Sequence, residues 1–177
     1  MRAALTLHPD SVCEAVIRIG VDVVRGGAGV LGLRYLVEGR IADLAFAPPG
    51  PPMRADELWR HSCFEAFLAD EAGKGYTELN VAPSRQWAGY RFSGYRSERK
   101  DAAVPAPRIE VEASAERFDL RVALWLRAGG NRRVGMSAVI EETNGRLSYW
   151  ALAHPPGAPD FHHPDCFALQ VPPRSAP

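Results

Sequence analysis

ELWRHSCFEAFLADEAGKGYTELN, residues 57–80, decides the fold because it holds two alternating runs on either side of a glycine-containing turn. In the first run, Phe64 points to one side of an extended chain and Glu65 points to the other. In the second run, Leu79 and Glu78 divide in the same way. Two runs of period two joined by a short turn predict an antiparallel pair of β-strands.

The same alternation recurs along most of the chain. Val21 and Val23 share a face before the glycine-rich stretch RGGAG, and Leu31 and Leu33 share a face after it, which predicts a hairpin. FDLRVALWL and VGMSAVI repeat the pattern, and no long amphipathic helix is evident. Roughly ten short strands with turn signals between them predict an all-β fold, an antiparallel β-sandwich of the jelly-roll type. We expect one domain over residues 1–172 and a C-terminal tail over residues 173–177.

A late turn sets the predicted position of a tryptophan. Asn144 and Gly145 are the residue pair favoured in a two-residue type I′ turn. That turn would pair Val139 with Trp150 in the flanking strands. Trp150 is therefore expected on the face opposite the core row that contains Met136.

Composition excludes several classes of partner. The 177 residues include 21 basic and 21 acidic side chains, so no net field attracts nucleic acid or an anionic membrane. The three cysteines, Cys13, Cys63 and Cys166, form no zinc or redox motif and are expected to be reduced thiols. The N-terminal residues hold no apolar run of secretory length, so a cytoplasmic location is expected.

One predicted sheet face has a combination of charged, amide and aromatic side chains that a purely structural sheet does not require. If the strand QWAGYRF neighbours the first two, this face gathers Glu65, Phe67, Tyr76, Glu78, Asn80, Trp87 and Arg91. Aromatic rings can stack on the C–H faces of a polyhydroxylated ligand, while carboxylate, amide and guanidinium groups bind its hydroxyls. An ordinary solvent-facing sheet surface is the alternative interpretation, since such faces are polar by default.

Three segments, LWRHSCFEAFL, YTELNVAPSRQWAGYRFSGYR and YWALAHPPGAPDFHHPDCFALQV, resemble the DOMON-like superfamily and are similar to family 9 carbohydrate-binding modules. The resemblance implies a β-sandwich that binds sugars or haem on a sheet surface. It also implies a clamp formed by Trp59 and Trp150, with Glu65 and Arg91 as hydrogen-bonding partners. Arg85 is the alternative to Arg91 in that role.

Two other classes of function are open. The segment AHPPGAPDFHHPDC offers imidazole and carboxylate groups for a zinc or iron enzyme, namely His154, Asp160, His162, His163 and Asp165. Adjacent histidines on an extended chain point to opposite sides, which disfavours a shared metal. A haem or redox domain would need an axial ligand such as Met53, His61 or His154. Glu65 and Glu78 would form a glycosidase pair only if their carboxyl groups lay about 5–9 Å apart across a cleft.

We predict a non-catalytic module that binds a saccharide or similar small polyhydroxylated ligand on a sheet face, without a metal or other cofactor. The histidine-containing loop, residues 154–165, would gate the site. The predicted ligand-binding residues are Trp59, Glu65, Glu78, Asn80, Arg91, Trp150 and His154.

Overall fold

The computed structural model describes residues 1–70, 74–125 and 132–172, and these form an all-β fold. The described part of the chain contains thirteen strands: β1 (Arg2–Leu7), β2 (Val16–Arg25), β3 (Val30–Gly39), β4 (Met53–Arg54), β5 (Cys63–Ala69), β6 (Tyr76–Val81), β7 (Gln86–Phe92), β8 (Lys100–Asp101), β9 (Arg108–Ala113), β10 (Arg117–Trp125), β11 (Arg132–Glu141), β12 (Leu147–Ala151) and β13 (Leu169–Val171). Four single turns of 3-10 helix connect them, at Gly27–Gly29, Ile41–Asp43, Leu58–Arg60 and Pro164–Cys166.

The strands form the two layers of a sandwich joined through β1. The first sheet runs β9-β10-β3-β2-β1, and the second runs β4-β7-β6-β5-β11-β12-β1. Strand β1 pairs with β2 through its first half and with β12 through Thr6 and Leu7, so it passes from one sheet to the other. All of these pairs are antiparallel except β4 with β7, which is parallel. The predicted β-sandwich is therefore confirmed, with one short parallel edge pair that the sequence did not indicate.

The main core lies between the two sheets and follows from the period-two pattern. Alternate residues of β3 and β10 are buried, including Tyr35, Val37 and Leu120 from the first sheet. Phe64 and Met136 pack against them from the second sheet. The predicted hairpin of β2 and β3 is present around the turn at Gly27–Gly29, and its register pairs Val23 with Leu33.

The hairpin of β11 and β12 has a different register from the predicted one. Its loop has three residues rather than two, because the Gly145 backbone N–H bonds to the Glu142 carbonyl and Gly145 adopts a φ of 83°. Trp150 consequently pairs with Ala138 and not with Val139. A shift of one residue moves every side chain of a strand to the other face. The predicted outer position of Trp150 is therefore wrong, and its side chain lies in the main core, 6% exposed.

A second hydrophobic cluster covers the outer face of the second sheet. Residues 152–168, which we name the covering segment, place Phe161, Cys166 and Phe167 against this face. Phe167 stacks on Phe67 with ring centroids 5.7 Å apart. A Cβ atom added to Gly135 would come within 2.8 Å of the Phe167 ring, so the close approach of the segment requires glycine there. The sequence did not predict this third layer.

Three remaining points concern the cysteines, membrane-spanning helices and the C-terminal tail. All three cysteines are free thiols, as predicted. Among the described residues, no helix is long and apolar enough to span a membrane. The predicted tail, residues 173–177, lies outside the described residues.

Candidate functional site

The outer face of the second sheet brings together several of the predicted site residues. Glu65 pairs with Asn80 across β5 and β6, and Phe67 pairs with Glu78, so all four side chains share this face. Tyr90 pairs with Glu78 across β6 and β7, so the Tyr90 side chain shares it too. The predicted grouping of Glu65, Glu78 and Asn80 on one face is confirmed by the strand register.

Trp87 and Arg91 lie on the opposite face, contrary to the prediction. Trp87 pairs with Val81 and packs against the main core, while the Arg91 guanidinium forms an ion pair with Asp70. The cause is a three-residue loop between β6 and β7, in which Arg85 adopts a left-handed φ of 73°. Such a loop fixes the register in a way that the alternation of each strand alone does not specify.

A cavity of about 270 Å³ opens beside Glu78. Its lining combines aromatic rings with charged and polar groups: Trp59, Glu78, Tyr90, Phe92, Arg96, Arg99 and His162. Trp59 reaches it from the 3-10 turn Leu58–Arg60, which follows Glu57 in a left-handed conformation with φ of 59°. The Arg60 guanidinium lies 5.6 Å from the centre of the Trp59 ring system. Trp59 is therefore placed at a cavity, beside one of the predicted glutamates.

Further buried polar side chains lie near Glu78 on the same sheet face. The Asn80 amide N–H donates a hydrogen bond to Glu78 Oε1 at 2.7 Å. Asn80 Oδ1 and the hydroxyl of Ser137, the residue opposite Glu65 on β11, have no hydrogen-bond partner among the described protein atoms. Unpaired buried polar atoms are costly, so this row of side chains beside Glu78 is electrostatically strained.

The two glutamates of this face differ in their electrostatic surroundings. Burial raises the pKa of Glu65 well above its ordinary value, and the neighbouring Glu78 carboxylate adds to that effect. Burial also raises the pKa of Glu78, but the Asn80 hydrogen bond and the positive charges of Arg99 and Arg96 oppose the increase. The first proton taken up by the pair therefore resides on Glu65, and Glu78 presents a carboxylate to the cavity.

His162 is the residue of the covering segment that reaches the cavity. Its ring packs edge-on against Phe67, Tyr76 and Phe92, with centroid distances of 5.1, 5.8 and 5.2 Å. Its Nδ1 atom lies 2.7 Å from the Tyr76 hydroxyl, and its Nε2 atom lies 3.9 Å from Glu78 Oε2. Burial lowers the pKa of His162 to about 4, so the imidazole is neutral at physiological pH.

Two arginines from the loop after β7 complete the cavity wall. Arg96 forms an ion pair with Asp160 at 2.8 Å, and the Tyr95 hydroxyl donates to the same carboxylate, so this loop is joined to the covering segment. Arg99 lies over the Tyr90 ring at 5.1 Å. No carboxylate of the described residues lies within ion-pair distance of the Arg99 guanidinium, so its N–H donors are open to a ligand.

The other predicted contacts lie elsewhere. Trp150 is in the main core, so it does not face Trp59 as the second member of a clamp. His154 Nε2–H donates a hydrogen bond to the Thr6 carbonyl oxygen at 2.9 Å, and its ring contacts His8, away from the cavity lining. Arg91 is engaged by Asp70, as described above.

The metal and haem alternatives gain no geometric support. No three histidine, cysteine, aspartate or glutamate side chains in the described part of the chain converge as a metal site. His162 and His163 have different partners, Tyr76 and Asp165 respectively. Of the haem candidates, Met53 lies on an exposed edge strand and His61 bonds to Glu141, so the two do not line the cavity.

Five cavity residues were absent from the predicted binding set: Tyr90, Phe92, Arg96, Arg99 and His162. The alternation of QWAGYRF predicted Trp87 and Arg91 on the binding face, which excluded Tyr90 and Phe92 from it. His162 was considered only as a metal ligand. The two arginines lie in a loop, where no periodic pattern marks the direction of a side chain.

Comparison with known proteins identifies the class of fold. No family of protein sequences matches the chain, and no curated protein is significantly similar in sequence. Solved structures of carbohydrate-binding proteins share the fold. A candidate carbohydrate-binding protein from Bacteroides uniformis is 13% identical, with a TM-score of 0.63 over 93% of this chain and 83% of that protein.

Two similar structures are of family 9 carbohydrate-binding modules from Caldicellulosiruptor kristjanssonii. One, in complex with glucose, is 10% identical, with a TM-score of 0.58 over 94% of this chain and 81% of the module. The other, in complex with cellotriose, is 10% identical, with a TM-score of 0.54 over 86% of this chain and 74% of the module. At these identities the likeness shows a common fold.

Proposed function

We propose that the protein is a non-catalytic saccharide-binding module and that the cavity beside Trp59 and Glu78 is its ligand site. The observation that carries the proposal is the meeting of a tryptophan, a buried carboxylate and two arginines in one cavity. The fold shared with carbohydrate-binding proteins supports the same ligand class.

The chemistry of the cavity suits a sugar ring. Trp59 offers an aromatic surface for the apolar C–H face of a pyranose, while Glu78 accepts hydrogen bonds and Arg99 donates them. Hydrogen bonds to the Glu78 carboxylate are charge-assisted because this acceptor is negatively charged. Since Glu78 is buried, water screens them poorly. These groups reproduce the predicted combination of stacking and polar contacts, although Arg99 stands where Arg91 was expected.

The size of the site favours a small ligand. Ligand pockets are typically about 300–1,000 Å³, and this cavity of about 270 Å³ is slightly smaller than that range. One sugar ring, or the terminal ring of a longer chain, is therefore the expected occupant. The aromatic and hydrogen-bonding side chains of the lining also favour a sugar ring over a metal or haem.

The decisive experiment is a glycan array with the wild-type protein, followed by calorimetric titration of any saccharide that binds. Trp59→Ala should weaken binding about 30-fold or more, because it removes both buried apolar area and a stacking contact. Trp125→Ala is the matched control, since Trp125 is 45% exposed on the first sheet and outside the cavity. An array without hits, or equal affinities of the two variants, would contradict the proposal.

We also propose that the chain is a distant DOMON-like domain, as its sequence segments suggest. The support is the resemblance of the segments around Trp59, Glu78 and the covering segment, together with the shared sandwich fold. A spectrum recorded after haem addition separates the sugar-binding and haem-binding branches of that superfamily. A haem absorption band that His61→Ala shifts would favour the haem branch.

A further inference from the structure

We propose that His162 is held as the Nε2–H tautomer and that, together with Glu78, it forms a donor and acceptor pair that binds one hydroxyl group of the ligand. This inference rests on the proposed saccharide function and specifies how the site chooses its ligand. His162 then acts as a specificity-determining residue of the covering segment.

The first step is the direction of the hydrogen bonds at the Tyr76 hydroxyl. The backbone N–H of Arg96 donates to the Tyr76 oxygen at 3.2 Å, so that oxygen already accepts one hydrogen bond. Its own proton needs an acceptor, and within the described residues the only one in reach is His162 Nδ1, at 2.7 Å. Burial raises the pKa of Tyr76, so the hydroxyl keeps its proton at neutral pH. Tyr76 therefore donates to His162 Nδ1.

The second step follows from the two nitrogens of a neutral imidazole. When Nδ1 accepts a hydrogen bond, the ring proton resides on Nε2. The Nε2–H group then faces Glu78 Oε2, which is an acceptor, whereas the other tautomer would turn a lone pair toward that oxygen. Three aromatic rings, those of Phe67, Tyr76 and Phe92, hold the imidazole edge-on and prevent it from turning.

The third step is the gap between His162 and Glu78. The two atoms are 3.9 Å apart, which is too long for a direct hydrogen bond. A hydroxyl oxygen placed about 2.8 Å from each would accept from Nε2–H and donate to Oε2. Glu78 Oε1 is occupied by the Asn80 amide, so Oε2 is the oxygen turned to the ligand. A ligand without a hydroxyl at this point would leave both groups unpaired in a buried place, which is how polar sites reject close analogues.

The tautomer can be measured without any saccharide. Long-range proton–nitrogen NMR correlation spectra of the full chain at pH 7 distinguish a protonated from an unprotonated ring nitrogen in each of the five histidines. The His162 signals are assigned by their loss in His162→Gln. We expect a protonated Nε2 and an unprotonated Nδ1. A protonated Nδ1, whether in the other tautomer or in an imidazolium, would overturn the inference.

Binding of glucose and its monodeoxy derivatives tests the hydroxyl. His162→Phe, which fills the space without a donor, should weaken glucose binding about 10-fold, while His162→Gln, which keeps an N–H donor, should lose about threefold or less. One monodeoxy derivative should bind the wild type as weakly as glucose binds His162→Phe. Thermal melts confirm that both variants fold. Equal affinity of His162→Phe and wild type for glucose would refute the pairing.

The failure of this inference differs from that of the proposed function. A wild-type protein that binds glucose but shows protonated Nδ1 would leave the saccharide function intact and refute the donor role of His162. A wild-type protein that binds no glucose and no arrayed saccharide would refute the function and the hydroxyl contact together, while the nitrogen spectra still decide the tautomer.

Discussion

Replacing Trp150 by alanine should destabilise the protein strongly without acting through the ligand site. The side chain is 6% exposed in the main core, and its indole N–H donates to the Ser148 hydroxyl at 3.0 Å. Truncation of a buried tryptophan costs about 3–5 kcal/mol. For a domain of this size each kcal/mol lowers the melting temperature by about 2–4 °C, so Trp150→Ala should melt about 6–20 °C below the wild type.

Trp59→Ala provides the contrast. Trp59 is half-buried on a single 3-10 turn, and it contacts the cavity and the Arg60 side chain rather than the core. Substitutions outside a core usually change stability by about 0.5 kcal/mol or less, and a half-buried ring is expected to cost about 1 kcal/mol. The expected decrease in melting temperature is therefore about 2–4 °C.

The melting temperatures of both variants are measured by thermal unfolding, with near-ultraviolet circular dichroism as the signal. Urea unfolding gives their free energies of unfolding. Trp125→Ala controls for the loss of an exposed indole. Our reasoning would be refuted if Trp150→Ala melted within about 2 °C of the wild type, or if Trp59→Ala were the less stable of the two. The first result would place Trp150 outside the packed core, and the second would give Trp59 a structural role.

Two further predictions concern pH. Because burial raises the folded-state pKa of Glu65 well above 4.5, its neutral form stabilises the protein at low pH, and that contribution is lost as the pH rises. Glu65→Gln should therefore raise the melting temperature at pH 7 and leave it nearly unchanged at pH 4, with the exposed Glu116→Gln unchanged at both. Burial lowers the pKa of His162 from 6.5 to about 4, so the protein should lose about 3 kcal/mol of stability as the pH falls through that window. Urea unfolding of His162→Gln should lack this loss, and an identical pH profile would contradict the burial of a neutral imidazole.

The strands and the core could be predicted from the sequence because both depend on local alternation. Phe64 and Leu79 are buried between the sheets, and Glu65 and Glu78 lie together on the other face. Each of these placements follows from one strand and its immediate neighbour. The reduced state of the cysteines was also predictable from their number and spacing. The cytoplasmic location stays a prediction.

Strand register could not be predicted, and it determined the positions of two predicted site residues, Arg91 and Trp150, and of Trp87. Trp87, Arg91 and Trp150 all lie on the face opposite the expected one, because two hairpins have three-residue loops that end in a left-handed residue. In the second loop that residue is Gly145, which permits either loop length. In the first it is Arg85, a residue type that rarely adopts this conformation, so nothing in the local sequence indicates the turn.

The positions of the loop residues at the cavity could not be predicted from the sequence pattern either. Arg96 and Arg99 follow β7, and His162 lies in the covering segment, so their meeting with Glu78 depends on how the loops fold over the sheet. The Asp160 carboxylate connects the loop after β7 to the covering segment, because it accepts hydrogen bonds from both Arg96 and Tyr95. A contact between residues so far apart in the sequence is not marked by any local sequence pattern.

In the proposed function, the covering segment makes this sheet face selective for its ligand. A bare outer face would leave Glu78 and Asn80 in water, where each hydrogen bond to a ligand only replaces one to solvent. By packing Phe161 and Phe167 over the neighbouring strands, the segment buries these polar groups, and a ligand that leaves one unpaired then loses affinity. The same segment supplies His162, the partner of Glu78 across the cavity. Changes in the covering segment should therefore alter which ligand is bound while the sandwich beneath it stays the same.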